Sequence, residues 1–411
     1  MRRSTALAWA ALVPALIQAP AVAQTGNVKP PRAQAWIDVA TFSGMGMPMG
    51  GMSPMSALGG LFGGGAGAKN SFGNTHTAPP GRWVDVTLHS RLNPALSEAQ
   101  QTVPAAFLSP ALMLQAPKDV KSPPPESGDD TVVESEQEKP KGRMLLYWGC
   151  GATVRSGQPK VLDMASASAA DLAKFFVARR ATQRGTHSAS GRPVWPSPAD
   201  ARVVPANASL VGEHAFSGSG VPEGFRFRIP AAQDLMPPLQ VQQVDQGGAT
   251  NLTWTGLPTA RAYFIAGMGA AKQDEMVIWS SSELPETGFG LIEYQTNAAV
   301  DRWLGEKVLL APATTQCAVP KDVFPGGAAM LRAIAYGSEL NLAQPPRPAD
   351  PKATWEPVWA AKIRVKSVAN VMLGMPTMGE ATAPAAEPNP PQEAEEKKLK
   401  PLDLLKGIFG R

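Results

Sequence analysis

Along this chain apolar and polar positions alternate with a period of two far more often than they recur every three to four residues. Trp36-Ile37-Asp38-Val39-Ala40 and Trp83-Val84-Asp85-Val86-Thr87 repeat one short pattern, and both predict strands. Further strands are expected at 143–148 and 225–229. From Leu239 onward eight β-like segments follow at short intervals: LQVQQVD, TNLTWTGLP, RAYFIAGMG, DEMVIWSSSE, EKVLLAP, TTQCAVP, AMLRAIAYGSE and WAAKIRVKS. Turn residues separate them, and that rhythm predicts an all-β sandwich. Helical spacing is rare. Residues 168–180 place Ala169, Leu172, Phe175 and Phe176 on one stripe, and 297–304 read as a short inserted helix.

Composition narrows the picture. Gly and Pro number 39 and 41, about a fifth of 411 residues, well above the usual level of roughly 12%. So much backbone disruption excludes a fold built on long helices. Where these residues concentrate, no core is expected. A Gly/Met-rich loop covers 44–76, an acidic Pro-rich insert covers 118–141, and a Pro/Ala/Glu tail covers 374–398. The apolar stretch before the acidic insert and the strand after it are expected to form a hairpin. The tail ends in 399–411, where Leu402, Leu405, Ile408 and Phe409 fall on one side of a short amphipathic helix among basic residues. Such a tethered helix is a candidate docking element or peripheral contact.

The N-terminus reads as a secretory leader. Arg2 and Arg3 precede an apolar stretch too short to span a bilayer, and Ala21-Val22-Ala23 offers a cleavage site. Cleavage near Ala23 predicts an exported protein, periplasmic or extracellular. No later run is apolar enough for a membrane helix, so none is expected in the mature chain. The formal charge is +4, and the leader's two arginines account for half of it. That field is too weak to suggest nucleic-acid binding. The two cysteines, Cys150 and Cys317, lack metal or redox spacing. In an oxidising compartment they read either as a disulfide or as two buried thiols.

Within the C-terminal half, LTWTGLPTARAYF resembles the second and third strands of fibronectin type III modules, with Trp254 on one and Tyr263 on the next. LRAIAYGSE, ending in Tyr336, resembles the penultimate strand, and TQCAVPKDVF the strand before it. The resemblance implies a sandwich over 231–373. The segments GRMLLYWGCG, DEMVIWSSSE and AYGSELN are also similar to uncharacterised exported proteins of Gram-negative bacteria. That likeness implies an envelope location. The expected architecture is therefore mainly β: a leader at 1–23, a β-rich sandwich-like domain at 24–230 and a fibronectin-like sandwich at 231–373, with few short helices.

Candidate chemistry is sparse. Met45, Met47, Met49, Met52 and Met55 form a thioether cluster suited to Cu(I) or Ag(I), with His76 and His89 able to add nitrogen. The simpler reading is a flexible loop whose methionines contact a partner. The Gly run at 63–67 lacks the Gly-Lys-Ser/Thr of a phosphate loop. No nucleophile elbow or His-based metal pattern occurs. Asp38 and Asp85 hold matching places in the repeated strands. If those strands pair, the two carboxylates could face each other and suit acid–base work on a sugar. The simpler reading is two solvent-facing residues, because like charges directly opposite destabilise a sheet. Trp195, Trp355 and Trp359 in Pro-rich loops are candidate stacking platforms for carbohydrate. The function expected is a non-enzymatic binding or scaffold protein of the bacterial envelope with a protein partner. Cu(I)/Ag(I) binding and a carbohydrate-acting enzyme are the alternatives.

Overall fold

A computed structural model describes residues 28–44, 70–118, 142–177, 179, 185–272, 275–325, 328–350 and 352–374. The leader, the five clustered methionines, nearly all of the acidic insert, the tail and the C-terminal helix with Leu402, Leu405, Ile408 and Phe409 lie outside the described residues.

The described chain is mainly β, as the alternation predicts. Its strands are β1 (Ala33–Gly44), β2 (Gly81–Ser90), β3 (Glu98–Thr102), β4 (Ala111–Gln115), β5 (Arg143–Trp148), β6 (Lys160–Asp163), β7 (Val194–Trp195), β8 (Gly212–Ser217) and β9 (Arg226–Ile229). They continue with β10 (Val241–Gln246), β11 (Ala249–Trp254), β12 (Ala262–Lys272), β13 (Glu275–Ser280), β14 (Gln316–Val319), β15 (Ala329–Tyr336), β16 (Leu340–Gln344) and β17 (Trp359–Leu373). Three short α-helices are described, α1 (Ala105–Leu108), α2 (Ala169–Phe175) and α3 (Asn297–Gly305). Ser168 and Asp171 close a capping box at the start of α2. That helix stops at Phe175, short of the expected residue 180.

One sheet runs β6-β5-β13-β12-β15-β17-β1-β2-β7-β4-β3-β8-β9, with β16 pairing the first part of β17. A second sheet has the order β10-β11-β14. The expected boundary at 230/231 falls inside the large sheet. β1 pairs in parallel with β17, and β5 pairs in parallel with β13. The first half of the chain thus adds strands to both edges of the sheet that the second half builds, and the two halves share one compact unit. The expected hairpin around the acidic insert is also corrected. β4 pairs with β3 and β7, while β5 pairs with β6 and β13. EKVLLAP forms no strand, only an isolated bridge between Tyr263 and Leu310, and β16 was not anticipated.

The large sheet is covered on both faces. On the first face Ile37, Val39, Val84, Val86, Ile363 and Val365 join one extended apolar core. The three-stranded sheet closes this core with Leu252, Trp254 and Val319. A disulfide between Cys150 and Cys317 ties the end of β5 to β14, spanning 167 residues of sequence. On the second face α3 contributes Val300 and Trp303 to a smaller core with Phe42, Trp83, Phe264 and Ile334. Beyond that core the second face is polar.

Candidate functional site

Register assembles the polar region. β1 and β2 are antiparallel with Asp38 opposite Asp85, and β1 and β17 are parallel with Asp38 opposite Arg364. Opposite residues project to the same side of a sheet. One carboxylate therefore sits between another carboxylate and a guanidinium. Two residues further along β17 the same face carries Lys366, and on β15 it carries Arg332. All five side chains are at least 95% buried, with Asp38 at 1%, Asp85 at 0% and Lys366 at 1% exposure. The solvent-facing reading of Asp38 and Asp85 is thus overturned. Their side is roofed by the Gly73–Thr75 turn just before β2 and by Thr186 and Tyr294, remote in sequence.

Asp38 accepts two hydrogen bonds of 2.6 Å from Arg364, one from Nε and one from Nη2. Thr186 adds its backbone N–H at 3.0 Å and its hydroxyl at 2.7 Å. This approach depends on Gly185, because a Cβ there would stand 1.7 Å from the Arg364 guanidinium. Burial works to raise the Asp38 carboxyl, but Arg364 and Thr186 more than offset it and hold it below the usual range. Asp85 has no cation. It accepts from the backbone N–H of Gly73 and Thr75 and from the Thr75 hydroxyl. Burial dominates, and its carboxyl is pushed up to about 6.

Tyr294 lies over the cations. Its ring centroid is 4.5 Å from the Arg364 guanidinium carbon and 4.3 Å from Lys366 Nζ, within the range of cation–π attraction. Burial lowers the Lys366 ammonium to about 8. Glu293, next in sequence to Tyr294, hydrogen-bonds His76 at 2.9 Å. Their side chains are 45% and 44% exposed, so the cluster meets water here. Burial would raise Glu293, but His76, Lys366 and Arg364 outweigh it and hold the carboxyl at about 2.

The sugar-hydrolase reading gains a carboxylate pair in register but loses its chemistry. Asp38 is buried and accepts four hydrogen bonds from Arg364 and Thr186. Trp195 and Trp359 are buried core residues rather than platforms, and Trp355 donates to the Pro345 carbonyl beneath Arg347. Among the described residues no group of three His, Cys, Asp or Glu side chains is placed to hold a metal. Of the two histidines considered as copper donors, His76 is occupied by Glu293, and His89 is partly buried on β2. Arg332, Arg364, Lys366, Glu293 and Tyr294 were missed by sequence reasoning. The available signal was KIRVKS, in which the three cations Lys362, Arg364 and Lys366 alternate with Ile363 and Val365.

A second region stands out at the β6 edge. β6 pairs only with β5, so its outer backbone groups have no strand partner. Val161, Val177, Met276, Leu284 and Phe289 lie on β6, on β13 or in the segments beside them. They make up half of the large apolar side chains exposed among the described residues. A cavity of about 400 Å³ opens between β6 and α2, lined by Val161, Leu162, Ala167, Asp171, Lys174 and Phe175 among others.

Comparison of the chain with protein families, with characterised proteins and with solved structures finds no match. Among the described residues no helix is long and apolar enough to cross a membrane.

Proposed function

We propose that this chain is an exported, non-enzymatic binding protein of the bacterial envelope that holds an extended segment of a protein partner along β6. The observation that carries the reading is the β6 edge itself. Open backbone donors and acceptors, the exposed Val161 side chain and an adjacent cavity occur together there. An added strand would satisfy the backbone groups, and one of its side chains would fill the cavity. Lys160, Asp163, Asp171 and Lys174 rim the site with both signs of charge, which suits a peptide of mixed polarity.

Export is supported by the leader-like residues 1–23 and by the Cys150–Cys317 bond, which belongs in an oxidising compartment. A fibronectin type III-like sandwich over 231–373 remains part of the proposal. Its support is the opposition of β10-β11-β14 to β13-β12-β15-β17, with Trp254 and Tyr263 5.4 Å apart between the two sheets. Cu(I) or Ag(I) binding rests on methionines outside the described residues.

The test is capture from crosslinked envelope fractions with the mature chain and with Val161→Asp, followed by amide protection of β6 in the purified complex. The proposal expects a partner that the wild type retains and Val161→Asp loses, with β6 amides protected in the complex. A partner held equally by both, with β6 unprotected, would refute the β6 reading.

A further inference from the structure

The open edge of β6 carries a definite order of backbone donors and acceptors. β6 pairs antiparallel with β5, with Leu162 opposite Met144 and Lys160 opposite Leu146. One step beyond, the Met164 N–H bonds the Gly142 carbonyl at 2.9 Å. At the other end the Gln158 side-chain amide exchanges two bonds of 2.9 Å with the Trp148 backbone. In an antiparallel ladder, residues bonded to the neighbouring strand alternate with residues whose N–H and C=O point away. Even-numbered positions therefore face β5, and Pro159, Val161 and Asp163 turn their backbone groups outward. Proline has no N–H, and the Asp163 carbonyl already accepts from the Ala167 N–H at 2.9 Å. Among the described residues the edge leaves open the Pro159 carbonyl, both groups of Val161 and the Asp163 N–H.

That set is complementary to itself. With two copies antiparallel and Val161 opposite its own counterpart, each Val161 donates to the other's carbonyl and accepts in return. Each Asp163 N–H meets the Pro159 carbonyl of the other copy. The missing proline donor then falls opposite the occupied Asp163 carbonyl, whereas an antiparallel strand with every donor would aim one at it. Odd positions oppose odd positions in this register, so both copies turn the same face the same way. The Val161 side chain, 53% exposed, packs on its counterpart, and Lys160 stands opposite Leu162. Lys160, Lys174, Asp163 and Asp171 rim the adjacent cavity with no net charge, so the two edges do not repel. Residues 156–157 and 164–166 turn away at either end and confine the pairing to this stretch. We propose that the partner held along β6 is a second copy of this chain, joined edge to edge about a two-fold axis through Val161. The inference rests on the β6 reading above.

The test is sedimentation equilibrium of the mature chain over a range of concentrations, with amide exchange of β6 followed at both ends of that range. The expected result is a monomer–dimer equilibrium in which the Val161 and Asp163 amides gain protection as the dimer forms. Val161→Pro removes only an outward N–H, a change that an edge strand accepts. It should weaken the dimer by about ten- to a hundredfold, the loss of one donor from each copy. Val161→Lys and Val161→Glu serve where the proline variant does not fold. Each alone should stay monomeric, and their equimolar mixture should dimerise, because the axis sets the two side chains opposite each other. A dimer that all three variants leave intact, or a mixture that stays monomeric, would overturn the pairing. A wild type that is monomeric at every concentration would overturn it too. If β6 is then protected in a complex with a different envelope protein, the β6 reading survives without self-pairing; if it is protected in none, both fall.

Discussion

The two faces of the large sheet are both buried, yet only the second mixes a buried charged cluster with its apolar core. Along β1 the residues Ile37 and Val39 enter the apolar core, while Asp38 between them points into a charged cluster at 1% exposure. Along β17 Ile363 and Val365 do the same beside Arg364 and Lys366. The first face is held by area removed from water, which tolerates any well-packed apolar set. The second face adds to its smaller apolar core a set of named polar pairs around Asp38, each dependent on one partner. Damage to the first face should scale with volume lost. Damage to the second should depend on which partner is left behind.

Adjacent substitutions on β1 sharpen this contrast most. Ile37→Ala is expected to cost about 2–5 kcal/mol through the cavity it leaves. Asp38→Ala is expected to cost about 3–5 kcal/mol by stranding Arg364. Denaturant unfolding of the two variants measures both, and a cost below about 1 kcal/mol for Asp38→Ala would mean a solvated pair.

Acidity separates the faces next. The folded Asp85 carboxyl titrates at about 6, above its unfolded value of about 3.9. The folded state therefore binds the proton more tightly, so stability from this group is fully present below about pH 4 and is lost as pH rises toward 6. The loss is on the order of 3 kcal/mol across that window. Asp85→Asn should flatten the slope, as read from unfolding midpoints between pH 4 and pH 7. An unchanged slope would place Asp85 in water.

The disulfide fixes the first face from outside by tying β14 to the end of β5. Replacing Cys150 and Cys317 together by Ser is expected to cost about 2–4 kcal/mol through the freed chain. The same loss should appear on reduction, and no loss would mean the two sheets dock unaided. The smallest effect belongs to the open edge. Val161→Asp, exposed on β6, should change stability by no more than about 0.5 kcal/mol while abolishing partner capture.

Much of the fold was legible from alternation. The two Trp-containing strands, the helix from Asn297 and seven of the eight segments after Leu239 are where the pattern puts them. Even the pairing of Asp38 with Asp85 followed from the repeat, given that β1 and β2 pair. The burial of that pair was not legible. Period two normally sends the polar side of a strand to water. Here the cover comes from Gly73 and Thr75, from Thr186 and from Tyr294, none adjacent in sequence to the strands they roof. The joining of the two halves in one sheet was not legible for a related reason. Parallel pairing of β1 with β17 joins positions more than 300 residues apart, and local pattern carries no information about such contacts.

The central claim is that the polar part of the second face, around Asp38 and Arg364, is a buried system of coupled charges rather than a solvated polar surface. A double-mutant cycle on Asp38→Ala and Arg364→Met tests it most directly, with each variant unfolded by denaturant at pH 7. The account predicts that each single change costs about 3–5 kcal/mol and that the double change costs far less than their sum. Two small, additive costs would contradict it and return Asp38 and Arg364 to the solvent.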